Sequence, residues 1–373
     1  KHQTFVFMDH NIRNIRIFKM NIPLKYPFVI SLETITTAKN VLVMIETHSG
    51  LIGYGECSPY EKIHKETQAS CLQTAKWMAP RFIGLHPWDL ITWQMAMNND
   101  LKGQYCIKSA FDMALYDLSA QIAGLPLYAY LGGNNKKLMF TDMTVGIDSP
   151  ENMAAEAKKY SDDAFPAIKI KLGTNRYDDV QRVKRVRESI GNDLPLRIDA
   201  NQGWDKNTAL EILKEVVPYK VEYCEQPVKA ENIADMAYLH EHSPIPVMAD
   251  ESLFDPKDAL ELICKNACSG FNIKISKAGG IRPAQLSALF AQTAGMKCQV
   301  GCFSESRLGI TALAHFALAH DAIVNYDMDS PFMLSQDPVE GGIYYTADKQ
   351  VMMREEIGIG CKPNLNAACF EEI

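Results

Sequence analysis

Ala167-Ile168-Lys169-Ile170-Lys171-Leu172 is the stretch on which the fold turns. Apolar residues alternate with lysines, so it reads as a short strand, and its period of two puts Lys169 and Lys171 on one side. Similar runs recur along the chain: Phe140–Val145 before it, then Leu196–Ala200, Val221–Glu225, Val247–Asp250, Phe271–Ile275, Gln299–Cys302 and Ile323–Tyr326. Helical patterns such as Asp178–Ile190 and Pro283–Ala294 lie between them. Strands alternating with helices predict an α/β fold, specifically a parallel (β/α) barrel, whole or partial. The alternative, an open doubly wound sheet, normally carries a glycine-rich loop after its first strand. Val145-Gly146-Ile147-Asp148 is not one.

Outward from this repeat, the texture changes on both sides. Asn11–Pro23, Asn40–Glu46 and Leu51–Gly55 read as a meander, with a turn at Ser49-Gly50, and helical patterns follow over about residues 66–80 and 106–123. Gly124-Leu125-Pro126 ends the second helix. We expect an N-terminal α+β unit over residues 1–130, the barrel over 131–338, and a C-terminal segment, 339–373, that returns to the first unit. The tail holds a strand-like piece at Gly342–Tyr345 and the glycine-rich Gly358-Ile359-Gly360.

Composition removes several classes of function. With 373 residues, 47% of them hydrophobic, the chain can bury a large core, and 22% charged residues is ordinary for a globular protein. The net charge of -7, without clustered Lys or Arg, argues against nucleic acid as a partner. No apolar run is long enough to span a membrane, and Lys1–His10 is too polar for a secretory signal, so a cytoplasmic location is expected. None of the ten cysteines forms a C-x-x-C pair. Cys264 and Cys268 are spaced as neighbours on a helix face, but nothing nearby completes a zinc pattern. The cysteines read as small buried hydrophobes in a reducing compartment.

In a (β/α) barrel the chemistry sits at the C-terminal ends of the strands. Those ends carry Lys169 and Lys171, then Asp199, Glu225, Asp250 and Lys274, at steps of 30, 26, 25 and 24 residues from Lys169 onward. Each step is about one β/α unit, so consecutive strands deliver these charges to one mouth. Three carboxylates at one place need a cation, and an all-oxygen set without histidine suits one Mg2+ better than zinc. Lysines flanking such a metal can act as acid and base. A metal-bound carboxylate stabilises the enediolate formed when its α-proton leaves. A base on each face is the layout for racemisation or epimerisation.

The motifs Lys169-Ile170-Lys171, Asp199-Ala200-Asn201, Glu225-Gln226-Pro227, Asp250-Glu251-Ser252 and Lys274-Ile275-Ser276-Lys277 resemble the muconate-lactonising subgroup of the enolase superfamily. The resemblance runs through essentially the whole chain. It implies a modified barrel under a capping domain built from the N-terminal part and the tail, with loops near Pro27–Thr34 and Gly55–Lys65 closing over substrate. It further implies that Asp199, Glu225 and Asp250 hold magnesium, that Lys171 and Lys274 are the acid/base pair, and that Lys169 neutralises the substrate carboxylate. Asn201 and Thr144 join the substrate-binding set, Asn201 as a support near the metal.

Asp327-Met328-Asp329 resembles the Asp-x-Asp motif with which dipeptide epimerases bind a free α-ammonium. No histidine follows the seventh strand, which sets aside the mandelate-racemase type of site. Relatives selective for Ala-Glu carry an arginine in the first capping loop, and the matching position here is Glu33, a charge reversal that disfavours an acidic substrate side chain. The expectation is Mg2+-dependent epimerisation of a dipeptide of L-Ala-L-Xaa type, Xaa non-acidic, at its C-terminal residue, in a homo-oligomer. Alternatives are a cycloisomerase, an o-succinylbenzoate synthase or a non-catalytic binding relative. Elsewhere, His64 reads as a solvated loop residue, Arg307 as a structural ion-pair former, and Gly279-Gly280 as a tight strand-to-helix turn. Ser252 and Ser304 lack partners for nucleophilic catalysis.

Overall fold

The computed structural model describes residues 9–99 and 101–373; most of the polar N-terminal stretch weighed above as a signal lies outside them. The first segment forms β1 (Ile12–Val29), β2 (Thr34–Thr47) and β3 (Ile52–Cys57), an antiparallel meander. The helices that follow include α1 (Glu61–His64), α2 (Gln68–Met78), α3 (Leu90–Asn98) and α4 (Tyr105–Ala123). Of these, α4 is buried along most of its length and lies flat against β3. The approach is so close that an added Cβ at Gly55 would stand 1.9 Å from Ala110 O, and one at Gly53 2.2 Å from Ala114 O. Gly55→Ala is therefore expected to destabilise the protein by at least the roughly 1–3 kcal/mol typical of overpacking, read as a lowered Tm. An unchanged Tm would show that β3 and α4 can move apart freely.

All eight expected barrel strands are present. They are β4 (Met143–Val145), β5 (Ile168–Lys171), β6 (Leu196–Asp199), β7 (Val221–Glu225), β8 (Val247–Ala249), β9 (Gly270–Ile273), β10 (Cys298–Val300) and β11 (Ile323–Tyr326). They pair in chain order, all parallel. Between β4 and β11 the circle is closed by loop contacts: Asp142 N–H donates to Tyr326 O (3.1 Å) and Met328 N–H to Thr141 Oγ1 (3.0 Å). Helices cover the outside, which is why most strand residues are buried on both faces.

The tail adds β12 (Val339–Gly341), β13 (Tyr344–Tyr345), β14 (Val351–Met352), β15 (Cys361–Pro363) and β16 (Phe370–Glu372). The strand-like piece at Gly342–Tyr345 shrinks to β13 in a local pair with β14. The return to the first segment is made by β16, which pairs antiparallel with β1, and by the glycine-rich stretch, where Leu127 N–H donates to Gly358 O (2.8 Å) and Ile359 N–H to Asp117 (2.8 Å).

Several local expectations are corrected. The helix Pro256–Cys264 ends at Cys264, so exposed Cys264 and buried Cys268 share no helix face. A short helix, Ile275–Ala278, intervenes after β9, so Gly279-Gly280 joins two helices rather than a strand and a helix. Gly280, at φ +130°, could not carry a Cβ without striking Asp112. The first capping loop is shorter than Pro27–Thr34, because β1 runs on to Val29 and β2 starts at Thr34. No helix among the described residues is long and apolar enough to cross a membrane.

Candidate active site

Strands four apart in an eight-stranded barrel stand opposite one another, and this places the polar residues in a cross. Lys169 and Lys171 come from β5, and Lys274, directly after β9, faces them from the other side. Asp199 at the end of β6, Glu225 at the end of β7 and Asp250 just after β8 fill the arc between. Asp327 and Asp329 follow β11, opposite Glu225.

Asp199, Glu225 and Asp250 are fully buried, with carboxylate oxygens from all three within 4.8 Å of one another. Burial, then repulsion from Asp199, raises Glu225 well above the ordinary carboxylate range. Asp250 moves the other way: burial opposes its charge, but Lys274 and Lys277 outweigh it. Surrounding side-chain and backbone donors orient each ligand candidate. Asn272 Nδ2 donates to Glu225 (2.6 Å), Asn201 N–H to Asp199 (2.8 Å), and the buried Lys277 Nζ to the carboxylate and carbonyl of Asp250. Asp250 Oδ2 has the charge of Lys274 Nζ at 2.8 Å but no hydrogen bond. Three convergent carboxylates, one with an oxygen lacking a hydrogen-bond donor, fit a hard divalent cation.

The lysines bracket this cluster. Lys171 Nζ donates to Asp199 Oδ2 (2.6 Å). Lys274 Nζ stands 4.5 Å over the ring of Phe303. Burial opposes the Lys274 charge, while Asp250 and Glu225 raise its pKa above the usual lysine range. Lys169, also buried, is paired with Asp327 and lies 3.9 Å from Glu225 Oε2.

Asp329 lacks a cation. Its Oδ2 accepts from Thr144 N–H (2.8 Å), and it forms no ion pair among the described residues, whereas Asp327 has Lys169 and Asp142 has Arg197. Burial, then Asp327 and Asp142, pushes Asp329 up to about 8.

A cavity of about 310 Å3 opens above these groups. Lys169, Lys171, Lys274, Asn201, Thr144, Asp327 and Asp329 all line it. Part of its roof is apolar: Ile30, Tyr60 and Ile63 form a buried cluster with Phe28, Ile35 and Phe303 packed against it, while Thr36, Lys39, Glu61 and Gln68 add polar lining. Glu33 is exposed at the β1–β2 turn and borders the same space. Asn201 also donates from Nδ2 to Glu251 (3.1 Å).

His64 is not solvated. Its Nδ1 accepts from Tyr60 N–H (2.8 Å) and its ring lies 4.6 Å from that of Phe303. Burial, then Lys277 and Lys274, lowers its pKa to about 3, so the ring is a neutral packing element. Arg307 pairs with Asp337 (2.6 Å), as expected. Sequence reading missed the apolar roof and the parts played by Lys277 and Asn272. Lys277 lay within a quoted motif; Phe303, just beyond the seventh strand, had only its position at a strand end to signal it.

A parallel barrel with lysines on opposite strands around three carboxylates, capped by an α+β segment, defines an enzyme of the enolase type. The chain belongs to the mandelate racemase/muconate lactonizing enzyme family: residues 12–132 match its N-terminal domain and residues 152–367 the enolase C-terminal domain-like family. It is 44% identical over 349 residues to a D-Ala-D/L-Ala epimerase of Cytophaga hutchinsonii, covering 94% of this chain and 95% of the relative. It is 39% identical to a hydrophobic dipeptide epimerase of Enterococcus faecalis, covering 94% of this chain and 99% of that one. Among solved structures, the Cytophaga hutchinsonii dipeptide epimerase complexed with Mg and D-Ala-L-Val superposes with a TM-score of 0.96 at 43% identity, over 97% of this chain and 99% of that one. The Enterococcus faecalis enzyme complexed with Mg and L-Leu-L-Tyr gives 0.91 at 39%, over 94% and 99%.

Proposed function

We propose that the chain is a Mg2+-dependent dipeptide epimerase that inverts the α-carbon of the C-terminal residue. The observation that carries this reading is the cross of charges in the barrel mouth, with lysines on opposite strands, the carboxylate triad on a third side and an uncompensated Asp329 on the fourth. Asp199, Glu225 and Asp250 would hold the cation. When bound, it would supply positive charge to the substrate carboxylate and offset the negative charge that holds Lys274 protonated. The peptide ammonium would meet Asp329 and Asp327, which stretches the dipeptide across the mouth and leaves its second α-carbon between the two lysines. Lys171 Nζ and Lys274 Nζ then serve opposite faces, one removing the α-proton and the other returning a proton. Lys169, placed between Asp327 and Glu225, would limit the charge of the ammonium site and neutralise the substrate carboxylate.

The apolar roof and the negative Glu33 favour a small or hydrophobic second side chain over an acidic one. The cycloisomerase and succinylbenzoate-synthase readings leave Asp329 without a purpose, because their substrates bring no ammonium.

The test is α-proton exchange in deuterated water, with Mg2+, across a library of L-Ala-L-Xaa dipeptides, read by mass spectrometry. Exchange at the C-terminal residue is expected, fastest for apolar Xaa. No exchange anywhere in the library would sink the epimerase reading, and fastest turnover of Ala-Glu would overturn the side-chain preference. Chelation of divalent cations is expected to abolish the exchange, and added Mg2+ to restore it. Activity that survives exhaustive chelation would remove the triad's assigned role.

A further inference from the structure

Three cysteines that lie 14 and 35 residues apart meet in the capping segment. Cys57 ends β3, Cys71 is in α2 and Cys106 opens α4. All three are fully buried, with Sγ atoms within 4.8 Å of one another. Glu66, 1% exposed, adjoins the group on one side, where Cys71 Sγ donates to its Oε2 (3.5 Å). Two ligands of one tetrahedral zinc, at about 2.3 Å for sulfur and 2.0 Å for oxygen, stand about 3.5 Å apart.

Clustered thiols alone would be ordinary apolar packing. The buried carboxylate beside them is not. Glu66 forms no ion pair among the described residues, and the nearby Lys108 turns its Nζ to Asn98 Oδ1 (3.1 Å) and Leu101 O (2.6 Å) instead. Backbone N–H groups orient it: Cys106 N–H donates to Oε1 (2.9 Å) and Ile107 N–H to Oε2 (3.3 Å). This is the kind of outer contact that holds a metal ligand in place. The same N-terminus of α4 offsets negative charge. A buried carboxylate beside three thiols needs a cation or a proton.

We propose that Cys57, Cys71 and Cys106, with Glu66 beside Cys71, form a site for one thiophilic divalent cation of the zinc class, separate from the carboxylate triad. Its place suggests its use. Cys57 and Glu66 bracket the loop whose Ser58, Pro59, Tyr60, Ile63 and neighbours line the cavity, so an ion there pins both ends of that loop to α2 and α4. The local spacing of cysteines hides the site, because no two of them are close in the chain.

The test uses the purified, reduced whole chain with saturating Mg2+, to which Co2+ is added. One equivalent is expected to produce a sulfur-to-cobalt charge-transfer band and a rise in Tm, displaced by Zn2+. Cys71→Ser and Cys106→Ser should each lose the band, while Cys264→Ser, at an exposed cysteine, keeps it. No charge-transfer band in the unaltered chain would overturn the site without recourse to any variant and would mean that Glu66 carries a proton among inert thiols. A band that persists in both variants would place the metal elsewhere. Neither result touches the epimerase reading, which rests on the barrel mouth.

Discussion

Lys274→Ala and Lys171→Ala are each expected to lower epimerisation by roughly 10²–10⁴-fold, the usual contribution of a positioned acid or base. The more telling result is the asymmetry between them. The lysines reach the cavity from β5 and from the end of β9, four strands apart, so in the proposed reaction each would address one face of the α-carbon. A chain that lacks one lysine should still exchange the α-proton of the epimer that faces the remaining one, without inverting it. Incubating each variant with the two epimers separately in deuterated water, and following exchange and configuration together, reads this directly. If either variant exchanges both epimers as fast as the unaltered chain, the two-base assignment fails. The substitutions also unpair Asp199 or Asp250 from a lysine, so Tm in the presence of Mg2+ should be measured alongside.

Asp329→Asn is expected to raise KM strongly with a smaller effect on kcat. Asn keeps an acceptor for Thr144 N–H but loses the charge that would meet the peptide ammonium. Hydrogen bonds to charged groups are worth about 1.5–3 kcal/mol, so kcat/KM should fall roughly 10- to 100-fold. An N-acetylated dipeptide provides the control: it should be a poor substrate of the unaltered chain and should lose little further on substitution. Equal losses for the free and acetylated peptides would show that Asp329 supports the barrel rather than the ammonium. Undiminished binding of free dipeptides by Asp329→Asn would return the lyase reading to consideration.

The barrel was legible because its signals are local. A strand such as Ala167–Leu172 announces itself by alternation, and the interval to the next strand is set by one crossover helix, so Lys169, Asp199, Glu225, Asp250 and Lys274 fall into step. Strand ends shift by a residue or more in the structure: Asp250 and Lys274 lie just past β8 and β9 rather than within them. That slip leaves the site intact, because the residue after a barrel strand still points into the mouth.

Other features depend on contacts between distant parts of the chain. His64 reads as a solvated loop residue, yet Phe303 and Phe254 pack around it from loops far along the sequence. Glu33 carries a charge that speaks to substrate choice, but the apolar roof beside it comes from Ile30, Tyr60, Ile63 and Phe303 together, and no periodicity links them. The tail's return through β16 required pairing across more than 350 residues, with Phe18 opposite Glu372.

The sequence by itself determined the class of chemistry: strand period and β/α spacing are short-range properties, and they alone bring two lysines, three carboxylates and Asp327-Met328-Asp329 to one end of a barrel. Only the tertiary structure decided which of those charges are compensated and what encloses them. Asp329 is left without a cation because Lys169 turns to Asp327, and Cys57, Cys71 and Cys106 meet because β3, α2 and α4 pack together. Both outcomes follow from three-dimensional packing, which the order of residues along the chain does not display.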